Sequence, residues 1–349
     1  GKTRMKKELQ YPQGIVWLIG QCMEAKGKQD LWQQTRPEVM NALKEIAIIQ
    51  STESSNRIEG VEVEKNRLVP LLAGKVRPID RPEEEVLGYK NALTWIHKNY
   101  KKIEITPDTI LKIHLLCQEN SSGDAGKFKK KNNEIIEIHP NGERTVRFIP
   151  LNAAKTPRAV EQICLKYRQS IQQGEGPDLG IIAKFILDFL CIHPFRDGNG
   201  RASRLLTLLL LYQNGYDVGG YISLERIIEE QKEDYYLALK KSSDHWHEKE
   251  NDPFPWMMFF VSVLRRAYNE LNEKVERSSK EKSHGGKTDI IKKMILSQVG
   301  PFSLRDIENL CPSVSTQLIK KVLTEFKENK IIQLEGKGRG ARWKVSKGY

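Results

Sequence analysis

The sequence predicts a mainly α-helical protein carrying one β-hairpin, with a small separate domain at its C-terminal end. Three observations predict it. Apolar residues recur at helical spacing over most of the chain, strand-like alternation is confined to the two sides of one His-Pro-Asn-Gly turn, and a polar, glycine-containing run sets the last part of the chain apart.

Taken in order, RPEVMNALKEIAIIQSTESSNRIEG is apolar at helical spacing and stops at Gly60, a residue suited to a helix C-terminus. RPEEEVLGYKNALTWIHKNY puts acids in its first turn, where the helix dipole favours them. ITPDTILKIHLLCQEN opens on a Thr-Pro start signal. NNEIIEIHPNGERTVRFIP reads as a hairpin at about residues 133–149, because Asn-Gly is a strong turn signal between alternating flanks. NAAKTPRAVEQICLKYRQSIQQG and the nearly all-apolar PDLGIIAKFILDFLCIHP follow as helices, the second of them buried. NGRASRLLTLLLLYQNG, ISLERIIEEQKEDYYLALKKSS and PFPWMMFFVSVLRRAYNELNEKVERSSK complete the helical set.

Residues 278–288, from SSKEKSHGGK to Thr288, are polar and contain Gly285-Gly286, so they read as a linker. Beyond them IIKKMILSQVG, SLRDIENLC and SVSTQLIKKVLTEFKENK are short helices, and IIQLEGKGRGARWKV is a strand, a glycine-rich turn and a strand. That order matches a winged helix-turn-helix. The GKGRG turn is no phosphate loop, since it lacks a preceding strand and a following helix.

Composition narrows the class. The 349 residues suffice for two or three domains, and 39% hydrophobic with 29% charged residues fits a soluble globular chain. No run reaches the roughly 18 apolar residues of a membrane span, and GKTRMKKELQ has no apolar stretch behind its charges to make a secretory signal. Five scattered cysteines without a CxxC pair argue for a reducing cytoplasm and against zinc or a disulfide framework. The close pair His245 and His247 has no clustered ligands around it, so no metal is expected there. Net charge is +12; residues 280–349, with 15 Lys+Arg against 7 Asp+Glu, supply +8 of it. A basic C-terminal domain points to nucleic acid or an acidic partner.

The chemistry concentrates in IHPFRDGNGRASR, residues 192–204. A buried helix delivers His193 to its own end, where Pro194 stops it, and a histidine held there is a candidate general base. Phe195 is an apolar peg for the loop. Asp197 offers a hard oxygen ligand suited to Mg²⁺ that arrives with nucleotide phosphates. Gly198, Asn199 and Gly200 open the next helix, so backbone N–H groups and the helix dipole face any anion bound there. Arg201 and Arg204, three apart, project to one side of that helix and can grip phosphate oxygens in a fork.

HPFRDGNGRASR resembles HPFx[DE]GNGRxxR, the signature of the Fic family, at every specified position. The likeness extends over roughly residues 35–275 and implies a Fic-type helical bundle with a β-hairpin flap. It implies an adenylyltransferase that moves AMP from ATP to a Ser, Thr or Tyr hydroxyl of a target protein. On that resemblance His193 deprotonates the hydroxyl and Asp197 holds Mg²⁺. Arg196, Gly198, Asn199, Gly200 and Arg201 surround the phosphates, and Arg204 reaches the γ-phosphate. The hairpin, with Ile135 and Ile138, resembles the flap on which a target segment docks as an added strand. Tyr235 and Tyr236 match a tyrosine pair on the adenine side in relatives, and Ser243 stands where some relatives carry asparagine.

Ser55-Asn56-Arg57-Ile58-Glu59-Gly60 matches [ST]xxxE[GN], the family's inhibitory motif, at the end of a predicted helix. The resemblance implies that Glu59, with Ser55, engages Arg204 and so obstructs the nucleotide. The domain organisation expected is therefore 1–100 for N-terminal helices with the inhibitory helix, 101–277 for the catalytic core, 278–288 for the linker and 289–349 for the winged helix. Two other functions stay open: another phosphate-group transfer or AMP removal at the same site, and a DNA-binding regulator that uses the winged helix, with Lys320 and Lys321 near phosphates. The C-terminal domain could equally dock a protein, and a homodimer is compatible with the family.

Overall fold

The computed structural model describes residues 9–139, 141–298, 300–312, 314–336 and 341–346, with backbone alone over 279–286. Two compact units divide the chain, residues 1–272 and 273–349. Each stands on its own core.

In the first unit the helices are α1 (Gln13–Thr35), α2 (Pro37–Ile58), α3 (Lys65–Leu72), α4 (Arg81–Asn99) and α5 (Pro107–Gln118). The hairpin strands β1 (Ile135–Ile138) and β2 (Arg144–Phe148) follow, then α6 (Thr156–Gln173), α7 (Asp178–Ile192) and α8 (Asn199–Gln213). α9 (Leu224–Glu230), α10 (Lys232–Ser243) and the first part of α11 (Phe254–Leu296) close it. Local chemistry sets the boundaries. Asp80 caps α4 by accepting from Glu83 N, and Thr106 caps α5 by accepting from Thr109 N, each with a proline in the first turn. α6 ends on Gly174 in the left-handed region.

α7 and α8 form the axis of this unit. α7 buries most of its length, from Leu179 to Ile192, and α8 buries a run of leucines from Leu205 to Leu211. The two pack on each other and α4, α5 and α6 pack around them. α4 and α5 approach closely at Gly88, where a Cβ would overlap the Cys117 carbonyl. α2 lies against α4, α8 and α9, so the first hundred residues share the core of the segment that follows rather than standing apart from it. All five cysteines are buried and free.

The hairpin pairs Ile136 with Val146, Glu137 with Thr145 and Ile138 with Arg144, antiparallel, with an irregularity after Ile135. Its turn closes through His139 N to Glu143 O at 2.9 Å and Gly142 at φ +82°; Pro140 of the expected turn lies outside the described residues. Ile136, Ile138 and Val146 are exposed on it.

The second unit contains the end of α11, then α12 (Leu304–Leu310), α13 (Thr316–Glu328), β3 (Ile332–Glu335) and β4 (Arg342–Val345). Ser303 and Asp306 form a reciprocal cap on α12. Ile291, Ile295, Phe302, Ile319, Phe326 and Ile332 are central in its core, and Phe302 pairs through its backbone with Trp343 beside β4. Of the expected glycine-rich turn, residues 337–340 lie outside the described residues.

One expectation is corrected. Residues 278–288 are not an irregular linker but lie within α11, which runs unbroken from Phe254 to Leu296. The glycines at 285 and 286 each cost about 1 kcal/mol of helix propensity. That is tolerable in a segment otherwise rich in Glu, Lys and Arg and supported by the Glu273–Arg277 pair one turn apart, at 3.4 Å.

Candidate active site

The site is built at the turn between α7 and α8. α7 ends because Pro194 cannot continue it, and His193 becomes its cap in the left-handed region, φ 51° and ψ 62°. For a residue with a Cβ that conformation is strained, and it persists only where the surroundings hold it. Phe195 is fully buried and stacks on His114 at 3.7 Å between ring centroids. Asn199 closes the loop on itself: its Oδ1 accepts from Phe195 N at 2.9 Å and its Nδ2 donates to Phe195 O at 2.8 Å. Gly198, at φ +83°, then starts α8.

His193 borders an open cleft of ≈ 1010 Å³ whose walls include the hairpin (Ile135, Ile138), Glu59, Gly200, Tyr236 and Ser243. Tyr235 also lines it. Nδ1 of His193 is buried without a hydrogen-bond partner, which leaves Nε2 as the nitrogen turned to the cleft. Burial pushes the His193 pKa down to about 4, and the Lys129 charge pushes the same way, so the imidazole is neutral at neutral pH. A neutral ring can take a proton.

The two arginines of α8 have different surroundings. Arg201 is enclosed, with Nη1 3.1 Å from Glu85 and 3.5 Å from Asn56 Oδ1, and its Nη2 lies 3.8 Å from Asp197. It lies behind the loop and does not line the cleft. Arg204 donates Nε to Ser55 Oγ at 2.8 Å, and Nη2 to Ser55 O at 2.8 Å and Glu59 Oε1 at 2.6 Å. Burial works against the Arg204 charge, but Glu59 first and then Tyr235 and Tyr89 together more than offset it, and its pKa is held above the ordinary value. Nη1 of Arg204 is buried with no hydrogen-bond partner. Glu59 is the C-cap residue of α2, and it reaches Arg204 by passing over Gly200, where a Cβ would overlap Oε1.

The remaining sequence candidates are placed as follows. Asp197 is half exposed, accepts from Gly198 N at 2.7 Å and faces Arg81 at 3.2 Å. Arg196 is exposed and pairs with Asp124 at 2.8 Å, outside the cleft. Gly198 and Asn199 build the loop rather than the cleft wall. Tyr236 lies under Arg147, 5.1 Å from guanidinium to ring centroid, and Tyr235 packs on Trp256. His247 belongs to the hairpin's support, with Nε2 2.8 Å from Ile149 O and its ring stacked on Phe148.

Several functional neighbours gave no signal in the sequence. His114 donates Nε2–H to Asp197 O at 2.8 Å and accepts from Gly126 N at Nδ1, a pairing that fixes its tautomer. Glu85 balances Arg201. Lys129 and Asn133 bind the backbone of the loop itself. Only a helical spacing that set Glu85 inward could have hinted at one of them.

Residues 104–211 match the model of the Fic/DOC family, a span that holds His193, Asp197 and both arginines. Over that span the chain is similar to the Fic/DOC family. A Fido domain-containing protein of Dictyostelium discoideum is 31% identical over 101 residues, which is 28% of this chain and 66% of that protein, just under two thirds of its length. Among solved structures, a Fic family protein from Desulfovibrio desulfuricans G20 is similar with a TM-score of 0.68 at 18% identity, covering 99% of both chains. A Fic domain containing signaling protein from Bacteroides thetaiotaomicron has a TM-score of 0.60 at 18% identity, over 76% of this chain and 97% of that one. C. elegans Fic-1 is similar with a TM-score of 0.60 at 17% identity, over 76% and 73%. At those identities the solved structures speak for the shared helical fold. Fic-domain proteins as a class transfer nucleotide-phosphate groups to proteins.

Proposed function

We propose that this protein is an autoinhibited adenylyltransferase that transfers AMP from ATP to a hydroxyl of a target protein. The observation that carries the reading is the Glu59–Arg204 contact at 2.6 Å, made across Gly200 at the mouth of the cleft that His193 borders.

In this reading Nε2 of neutral His193 takes the proton of a Ser, Thr or Tyr hydroxyl. The hydroxyl oxygen forms a bond to the α-phosphorus while the bond from that phosphorus to the β-phosphate bridge breaks, and pyrophosphate leaves. Such a transfer needs positioning and charge neutralisation above all. The N-terminus of α8 supplies backbone N–H groups, and Arg204, with its unpartnered buried Nη1, supplies a fixed cation. Arg201, locked to Glu85, acts on the phosphates only through the field at the helix start. The donor set suits Mg²⁺: Asp197 is a half-exposed carboxylate, and a hard cation of this kind takes one protein carboxylate plus phosphate oxygens. Such an ion would neutralise phosphate charge, and Arg81 would have to give up Asp197 to it. Tyr235 and Tyr236 offer an apolar wall for the base. The exposed Ile136, Ile138 and Val146 suit a target segment added to the hairpin edge.

Glu59 is the brake. Its carboxylate occupies the guanidinium and puts negative charge where phosphate oxygens would lie. The test is intact-mass analysis and peptide mapping after incubation with ATP and Mg²⁺, on wild type, Glu59→Gly, and Glu59→Gly with His193→Ala. The expected result is a gain of one AMP mass in Glu59→Gly, on itself or on a protein in added lysate, that the second substitution abolishes. Equal modification in wild type and Glu59→Gly under saturating ATP would refute the brake; an adduct that survives His193→Ala would refute the base.

A further inference from the structure

His193 sits in a left-handed conformation that its neighbours must impose, and the source of that constraint lies outside the motif. Four consecutive carbonyls, those of Ile192, His193, Pro194 and Phe195, are all bound by two residues of the segment between α5 and β1. Lys129 Nζ donates to Ile192 O at 3.0 Å and Lys129 N to Pro194 O at 2.8 Å. Asn133 Nδ2 donates to His193 O at 3.2 Å and Phe195 O at 3.1 Å. The two side chains are joined, Lys129 Nζ donating to Asn133 Oδ1 at 2.7 Å.

We propose that Lys129 and Asn133 are positioning residues for His193, a clamp that holds the imidazole's backbone in register and places a buried cation on the carbonyl that precedes it. Lys129 is 6% exposed, and among the described residues the partners of its ammonium are oxygens of amides and carbonyls, with no carboxylate. A cation left without a counter-charge is costly to bury, so a residue with only a packing role would not be lysine. Burial lowers its pKa to about 8, which still leaves it mostly charged at neutral pH.

The charge has a second effect. The charged groups that face His193 are Lys129 from the segment before β1, Glu59 from the end of α2 and Arg147 from β2, with the Leu190 carbonyl from α7 itself. After burial, Lys129 is the largest influence keeping the ring neutral. The clamp therefore does two things at once: it sets where the ring is, and it keeps the ring free of its second proton.

The clamp also ties the loop to the hairpin. Asn133 lies two residues before β1, and on the far side of the hairpin Leu151 N donates to Cys191 O at 3.2 Å. The segments that flank the two strands are thus hydrogen-bonded to the end of α7 and to the turn that carries His193.

The proposal rests on His193 being the reactive group of the proposed function, and its test is split so that the two can fail separately. The first arm needs no substrate: NMR titration of His193 in the full chain with labelled histidine. In Lys129→Met the ring should titrate at higher pH than in wild type, and in Lys129→Arg, which keeps the charge, it should stay close to wild type. An unmoved titration in folded Lys129→Met overturns the electrostatic half. If Lys129→Met does not fold, Lys129→Gln, which keeps a donor, replaces it in the same reading. The second arm is Asn133→Ala, where hydrogen exchange at the amides of 193–200 should quicken; unchanged exchange overturns the clamp. Where Glu59→Gly transfers AMP, adding Asn133→Ala should lower kcat by up to about 10²-fold with KM for ATP little changed, the size of loss that follows a misplacement near 1 Å. A rise in KM with kcat unchanged overturns the positioning role.

Discussion

Gly200→Ala should destabilise the wild-type protein and stabilise the Glu59→Gly protein. The sign change follows from the geometry. A Cβ at residue 200 would overlap Glu59 Oε1 and lie 3.2 Å from Arg204 Nη1. Oε1 must retreat by more than about 1 Å to reach an ordinary contact, and the 2.6 Å bond to Arg204 then exceeds hydrogen-bonding distance. The movement itself is cheap, because Glu59 is a flexible side chain; the loss is the bond. A charge-assisted hydrogen bond is worth about 1.5–3 kcal/mol, and the lower half of that range applies to a carboxylate 31% exposed beside an arginine 4% exposed. Against it, alanine in place of glycine within α8 gains about 1 kcal/mol of helix propensity. The net expectation is a loss of about 1 kcal/mol in wild type and a gain of about 1 kcal/mol once Glu59 is absent, which makes a coupling near 2 kcal/mol. Urea unfolding of the four proteins measures it directly and requires no knowledge of the target. A Gly200→Ala effect of the same sign and size in both backgrounds would refute the contact as the source of coupling.

Two further outcomes follow from the packing. Gly88→Ala should destabilise by about 1–3 kcal/mol, as overpacking does, because the new Cβ meets the rigid Cys117 backbone rather than a movable side chain; an unchanged melting temperature would contradict the α4–α5 approach. Stability should also fall as pH drops from about 6.5 to about 4: burial first of all depresses His97, His114 and His193 to about 4, so the unfolded chain binds protons in that window while the folded chain does not. Urea midpoints measured across the window should decline with acidity, and a flat profile would show these rings to be wet.

Much of the site could be read from one segment because its residues do their work through local backbone. Pro194 ends α7, Gly198 needs φ +83° and Asn199 closes the loop on Phe195, all within reach of the chain itself. The pairing of Ser55 and Glu59 with Arg204 joins distant segments, and it was legible only through the resemblance to the family's inhibitory motif. What stayed hidden depends on contacts between distant segments. Nothing at Arg201 announces that Glu85 will pair with it in a buried contact. Lys129 looks like one more residue in the run KFKKKNN, and only the folded chain separates it from its solvated neighbours. The helical course of 278–288 was missed because paired glycines weigh heavily in a local reading, whereas charged neighbours and continuity with a packed helix outweigh them.

Glu59 is, in effect, a ligand on a tether. It is fixed to the same fold as Arg204, so its local concentration is set by the geometry of α2 and not by how much protein is in solution. Dilution cannot release it. Any anion that seeks the same guanidinium faces a competitor that never diffuses away, and wins only by binding the open site more tightly than the tether favours the closed one. On the proposed function, the set point of such a device is written in the contacts that orient α2, such as the forked pair of Arg57 with Glu229 at 2.7 and 3.0 Å.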